Sequence, residues 1–273
     1  MMVALKLRIL ASVPALSEDT ARCTEMLEVA SGLRLTAVEI KLGRDELIAQ
    51  KMRNWLTEAL ATYDFKPYAH LPYLQGKANL ASPDPKMGRK ALGTALRSVE
   101  FAAGLGCSLV NTHLGVALGR GPHIPRAVSR LGRLSEESLK MGVEICVENQ
   151  ESSCGGILNT PDDVRALLAC NPEIQLTYDP AHANTHGFGI REFLPAVMPR
   201  LRYLHLHDNN GRSDQHLALG RANLDFKHLM LELGRCGNAS QAEMPATLEL
   251  AARDLGPSIE YLGQLTVPSL QIG

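Results

Sequence analysis

Short apolar runs alternate along this chain with longer stretches in which apolar positions recur every three or four residues. The short runs fall at residues 5–10, 37–42, 67–71, 109–113, 143–148, 175–179, 203–207 and 246–250. Runs of this length, bounded by turn-forming residues, read as strands. The longer stretches include residues 17–30, 46–63, 86–105, 125–140, 161–168 and 226–234, and several open on a capping residue such as Ser17 or on a proline in the first turn. Strand and helix in strict alternation predict parallel strands joined by right-handed crossovers. Closure of such units gives an α/β fold of the (β/α)8 TIM-barrel type. The competing architecture is a doubly wound open sheet. No Gly-x-Gly-x-x-Gly follows the first strand and no low-complexity linker divides the chain, so the closed barrel is preferred.

Composition narrows the picture without changing it. The chain has 273 residues, 45% hydrophobic and 21% charged, with a net charge of -1. An α/β barrel uses about 250 residues as one unit, so one domain over residues 1–273 is expected. Near-neutral charge supplies no global attraction to nucleic acid or to an anionic membrane. The opening MMVALKLRIL interleaves Lys6 and Arg8 with apolar residues, unlike a signal peptide, and a cytoplasmic location is expected. Cys23, Cys107, Cys146, Cys154, Cys170 and Cys236 are widely spaced, so they read as mostly buried thiols rather than a disulfide or zinc-ribbon framework.

In a barrel, chemistry sits where the strands end. There this sequence places His70 in AHLPYL, His113 in NTHLG, Glu148 in VENQ, Asp179 and His182 in YDPAH, and His205 in LHLHDNNG. Asp214 and His216 follow in SDQH, and Glu249 in LELA. A single histidine of this kind is usually a satisfied structural residue. Consecutive strand ends from the third to the eighth are different, because packing several carboxylates together costs several kcal/mol each unless cations offset it. Imidazole and carboxylate are ligands of Zn²⁺ and Mn²⁺. One tetrahedral zinc takes at most four ligands, so the full set implies two or three ions sharing a carboxylate.

Other residues are placed beside this set. His207 shares the inward face of His205 and is a candidate substitute ligand or proton carrier. Glu39 either faces the site or pairs with Lys41 or Arg44. Cys146 is expected to fill a barrel layer, and His123, His186 and His228 to lie at the surface.

The series HLPYLQGKANLASPDP, NTHLG, VEN, DPAH, HLHDN with DQH, and LEL resembles the xylose isomerase-like TIM barrel superfamily, also called AP endonuclease family 2. The resemblance covers nearly the whole chain after the first strand and matches the ligand order of endonuclease IV. It implies three groups: His70, His113 and Glu148; Glu148, Asp179, His205 and Glu249; and His182, Asp214 and His216. Zinc is the first expectation and manganese the second, at one to three divalent ions per chain. The chain departs from endonuclease IV in LASVPAL, ENQESSCGG, DQHLALGRA and LELA, several of which stand where that family meets DNA. The block HLHDNNGRSDQHLALGRANLDF is closer to the sugar phosphate isomerase/epimerase branch of the same superfamily.

The preferred reading is therefore a metal-dependent isomerase or epimerase acting on a small sugar or sugar phosphate. Glu148 and Glu249 would move a proton through a metal-stabilised enediolate, His182 would bind substrate, and Arg212 or Arg221 would hold a phosphate or polar tail. That reading leaves His70, His113, Asp214 and His216 without a necessary role. The alternative is a zinc-dependent phosphodiesterase of the endonuclease IV kind, which uses every ligand and leaves nucleic acid open as a partner. Aromatic residues make up only 4% of the chain, with Trp55 the one tryptophan; Tyr73 and Leu74 match the position of the wedge loop that the resemblance implies, and a buried packing role is the alternative for them. A barrel that survives only as a binding module predicts damaged ligands, and none is damaged. No membrane partner is expected, and oligomeric state is left open.

Overall fold

The computed structural model describes residues 5–14, 20–43, 50–72, 78–117, 123–151, 153, 155–236, 243–265, 267 and 270–273. Ser17, Arg44, Glu46, Tyr73, Leu74 and Cys154 lie outside the described residues.

The elements follow in the order β1 (Leu5–Val13), α1 (Thr20–Gly32), β2 (Ala37–Lys41), α2 (Gln50–Thr62), β3 (Lys66–His70) and α3 (Pro85–Gly104). Next come β4 (Leu109–Thr112), α4 (His123–Lys140), β5 (Glu144–Glu148), α5 (Pro161–Cys170) and β6 (Gln175–Tyr178). The chain ends with α6 (Pro180–Thr185), α7 (Ile190–Val197), β7 (Leu201–Leu206), α8 (Phe226–Cys236), β8 (Glu243–Leu248), α9 (Ala252–Gln264) and β9 (Leu270–Ile272). Strands β1 to β8 pair in sequence, all parallel, and β1 pairs with both β8 and β2, which closes the barrel. β9 runs parallel to Leu5–Leu7 of β1, below the point where β2 begins to pair.

The helix starts follow the local chemistry. Pro85 opens α3 behind the N-cap Asp84, whose carboxylate accepts from Lys86 N at 2.7 Å. Thr160 and Asp163 form a capping box around Pro161 at the head of α5.

Strand alternation sorts the interior into layers. At the amino-terminal floor Arg8 donates to Glu243 at 2.7 Å and Arg202 to Glu144 at 2.9 Å. Above them Leu10, Ala37, Tyr68, Leu109, Cys146 and Tyr203 form a buried apolar plug. Cys146 thus fills a barrel layer, as expected. The opposite face of each strand packs on the helices through Leu7, Ile9, Ile40, Val110, Val147 and Leu204 among others. Each such side chain contributes about 1.5–3 kcal/mol of burial.

The structure departs from the expectations at two strand bounds, at three helices and at three histidines. β1 continues to Val13, and β8 starts at Glu243 because Pro245 is accommodated inside it. Helices α6, α7 and α9 were not foreseen: α6 is short, and Pro195 and Pro257 interrupt the patterns of the other two. His123, His186 and His228 are half-buried rather than exposed. Among the described cysteines Cys23, Cys107 and Cys146 are buried, in keeping with the expectation of mostly buried thiols, and Cys170 is exposed. Among the described residues, no helix is long and apolar enough to cross a membrane.

Candidate metal centre

Above the apolar plug the inward positions turn polar. Glu39, Asn111, Thr177, His205 and Thr247 are all buried at that level. Over them, at the carboxyl ends of the strands, stand His70, His113, Glu148, Asp179, His182, His207 and Glu249, also buried, with half-buried Asp214 and His216. All nine ligand candidates read from the sequence are therefore brought to one end of one barrel.

Glu148, at the end of β5, is the centre of the group. Its Oε2 lies 3.0 Å from His70 Nε2 and 3.3 Å from His113 Nε2. Its Oε1 lies 2.9 Å from His205 Nδ1 and 3.3 Å from His182 Nδ1. One carboxylate thus faces separate sets of imidazoles with its two oxygens.

Asp179 is held by the turn that follows β6. It caps α6, with Oδ1 accepting from Ala181 N at 2.8 Å and His182 N at 3.0 Å. Asn149 fixes the backbone on either side, donating to Asp179 O and accepting from Asp179 N. Oδ2 is left facing His207 Nε2 at 3.0 Å and His182 Nε2 at 3.7 Å.

Asp214 and His216 arrive on the loop after β7. Asp208 organises that loop, accepting from Asn209 N, Ala222 N and Leu224 N. His216 is in the left-handed region at φ 49, a conformation costing a non-glycine residue about 1–3 kcal/mol, and its Nε2 meets Asp214 Oδ2 at 3.0 Å.

The ring nitrogens show how well this set suits a metal. His70 Nδ1 pairs with Leu71 O, His182 Nδ1 with Asn149 O and His216 Nδ1 with Glu249 O. In each case Nε2 is left facing carboxylates. His205 is the reverse: Nε2 faces Glu39 Oε2 at 3.0 Å, and Nδ1, buried without a directed hydrogen bond, sits between Glu148 and Glu249. Ligating histidines are oriented in this way, one nitrogen anchored and the other presented. The donor set is nitrogen and oxygen, suited to zinc or manganese. Donor atoms cluster within 4.8 Å in His70–His113–Glu148, Glu148–Asp179–His205, Glu39–His205–Glu249, Asp179–His182–His207 and His207–Asp214–His216; among the described residues the expected group of His182, Asp214 and His216 is not drawn together as one such cluster, and His207 stands between its members.

Electrostatics reflect the crowding. Burial pushes the Glu148 carboxyl up, yet His205, His113 and His182 hold it well below the usual range. Burial works against charged His205, but Glu148, Glu39 and Glu249 raise its pKa well above the ordinary value. For His182 burial is likewise outweighed, by Asp179, Asp214 and Glu148. His113 behaves differently: burial pushes it down to about 3, with Glu148 only partly opposing.

Four residues, Glu39, His207, Arg212 and Arg221, had more than one placement open from the sequence. Glu39 turns inward to His205 and not to Lys41. Lys41 pairs with Glu249 Oε1 at 3.1 Å; the signal was its spacing of two from Glu39, which puts both on the inward face. His207 stacks on His216 at 4.0 Å and 22°, and its Nε2 meets Asp179 Oδ2 at 3.0 Å and Asp214 Oδ1 at 3.4 Å, which places it among the donor atoms of that corner. Arg212 and Arg221 are exposed, and neither side chain is seen paired with a member of the cluster.

Residues 27–260 match the family described as xylose isomerase-like TIM barrel. A probable endonuclease 4 of Nitrosopumilus maritimus is 27% identical over 224 residues, covering 70% of this chain and 79% of that protein. A fructoselysine 3-epimerase of Shigella flexneri is 23% identical over 214 residues, covering 75% of this chain and 78% of that protein. The solved structure of a D-allulose 3-epimerase from Methylomonas sp. superposes with a TM-score of 0.79 at 20% identity, over 97% of this chain and 100% of that one. At that identity the superposition shows the fold alone.

Proposed function

Because the chain belongs to the xylose isomerase-like TIM barrel family, we propose that its barrel mouth holds more than one divalent ion and that phosphodiester hydrolysis is the reaction this arrangement suits best. The observation that carries the proposal is the division of Glu148 between His70 and His113 on one oxygen and His205, with His182 Nδ1 at 3.3 Å, on the other. A carboxylate shared by two ions needs that placement. In this reading His70, His113 and Glu148 hold one ion, Glu148, Asp179, His205 and Glu249 a second, and His182, Asp214 and His216 a third. Zinc is the first candidate. When bound, such ions supply Lewis-acid stabilisation of a phosphoryl group and lower the pKa of water.

The chain's own groups have separable roles. Asp179 is pre-set by two backbone N–H groups, so it reaches the mouth in one orientation. Glu249 is kept ionised beside Lys41, whose ammonium also places positive charge where a phosphoryl oxygen would approach. Burial of the ligand layer excludes bulk water and strengthens these interactions.

A second reading is proton transfer on a sugar or sugar phosphate. It is favoured by Glu148 and Glu249 flanking His205 Nδ1 at 2.9 and 3.5 Å, as a pair of acid–base carboxylates would. The D-allulose and fructoselysine 3-epimerases supply the substrate class for it. His182 would then bind substrate, and Arg212 and Arg221 would have to reach it from an exposed loop.

Zinc- or manganese-loaded protein should cleave an activated phosphodiester, and then an abasic-site oligonucleotide if nucleic acid is the substrate. Incorporation of solvent deuterium into a ketose, with no phosphodiester cleavage under any metal, would replace the first reading with the second.

A further inference from the structure

Glu39 is an acid at the second strand that neither reading uses. It is fully buried beneath the ligand layer, where an ionised carboxylate is costly unless it has partners. Its Oε2 accepts from Asn111 Nδ2 at 2.5 Å and meets His205 Nε2 at 3.0 Å, with Thr247 Oγ1 at 3.4 Å. Asn111 is itself oriented, because its Oδ1 accepts from Thr177 Oγ1 at 2.5 Å. Thr247 is paired with Tyr203 OH at 2.7 Å. Oε2 is thus held directly from β4, β7 and β8, and through Asn111 from β6, and is aimed at one imidazole nitrogen, while Oε1 is buried without a hydrogen bond.

His205 is set apart from the other anchored imidazoles by this contact. His70, His182 and His216 rest on neutral backbone carbonyls, whereas His205 rests on a carboxylate. A carboxylate holds the proton on Nε2 and makes the far nitrogen a stronger electron donor than a peptide carbonyl does. The far nitrogen is Nδ1, between Glu148 and Glu249.

We propose that Glu39 is a positioning residue that locks His205 with Nδ1 toward the metal and makes the group of Glu148, Asp179, His205 and Glu249 the tightest of the ion positions. The inference rests on the metal reading but not on either reaction. It predicts an order of occupancy: this position fills first and empties last.

The test is stepwise zinc removal from the full-length protein by a graded series of chelators, followed by elemental analysis, with cobalt substitution to read the ligand field. Wild type should release its last equivalent well after the others. Glu39→Gln keeps the size and an acceptor oxygen but loses the charge, and should weaken that last equivalent alone by about 10–100-fold while the others are released unchanged. Glu39→Asp, which restores the charge one methylene further away, should fall between the two. The unaffected positions report that the fold is intact; if Glu39→Gln loses every position together, the comparison rests on Glu39→Asp, which must then shift the last equivalent selectively. Identical release curves for wild type and variants would overturn the proposal. Complete loss of one equivalent at any zinc concentration, with a changed cobalt spectrum, would overturn it by making Glu39 a ligand itself. A wild type that binds no divalent ion would sink both this inference and the metal reading, whereas ordered release unaltered by the variants would sink this inference alone.

Discussion

Replacing Glu148 with glutamine tests the shared carboxylate directly. An ion present at about 100 times its dissociation constant stabilises the fold by about 2.7 kcal/mol per site. In the proposed centre two positions share Glu148, so together they would be worth about 5 kcal/mol, and at about 2–4 °C per kcal/mol for a chain of this size they should raise Tm by about 10–20 °C. The amide keeps the shape but removes the charge facing His70, His113 and His205. Zinc should then raise the Tm of Glu148→Gln only by the share of the remaining group around His182, Asp214 and His216, about 5–11 °C. The metal-free variant should also start lower. Breaking a buried pair costs about 3–5 kcal/mol; His205 keeps Glu39 at 3.0 Å, which argues for the lower end. Calorimetry with chelator and with saturating zinc, alongside zinc content, reads each quantity. A variant with wild-type zinc content and a wild-type zinc-induced rise would refute the sharing of Glu148 and the proposed centre with it.

Proton linkage gives a second expectation, with opposite signs for bases and acids. His182, His205 and His216 have raised pKa values, so what they add to the metal-free fold is full below about 6.5 and is lost as pH rises through the raised values. Glu148, Asp179 and Glu249 have depressed values, so their share is present above about 4.5 and is lost as pH falls through them. His113, pushed down to about 3 by burial, works the other way and withdraws stability as pH falls below about 6.5. The metal-free protein should therefore be most stable near about pH 6.5, and zinc uptake at pH 7 should release protons; calorimetric titrations in buffers of different ionisation heat that show no release would contradict this. Gly115→Ala should destabilise by about 1–3 kcal/mol and empty the His70–His113 position before the others, since φ is 114 and a Cβ would lie 2.1 Å from Asn79 Oδ1; wild-type zinc content and Tm would count against it. Arg212→Ala and Arg221→Ala should leave metal content unchanged and stability within about 0.5 kcal/mol, because both side chains are exposed. A selective rise in KM in either variant would bring that arginine back to the substrate.

The fold was legible because strand–helix alternation is a long-range pattern that survives local exceptions. The exceptions are prolines and short elements. Pro245 hides the first residues of β8, and Pro195 and Pro257 break the helical signal of α7 and α9, yet tertiary packing holds all three elements. β9 is three residues long and, among the described residues, pairs with the start of β1, too short a segment to announce itself by period.

The candidate site was legible wherever a polar residue stood at a strand end, since closure of a parallel barrel brings those ends together whatever the loops do. Contact between particular atoms was not legible. Glu39 and Lys41 lie two apart on one strand and an ion pair between them was a reasonable expectation, but in a strand they occupy different layers of the barrel, about 6–7 Å apart along its length. Each therefore meets a partner on its own level: Glu39 meets His205 and Lys41 meets Glu249. The same reasoning separates His205 from His207. His205 falls beside Glu148 and Glu39, whereas His207, one step higher, falls beside Asp179 and against the ring of His216. Spacing of two in a strand assigns a shared face, and the height along the barrel axis then decides which partner each residue meets.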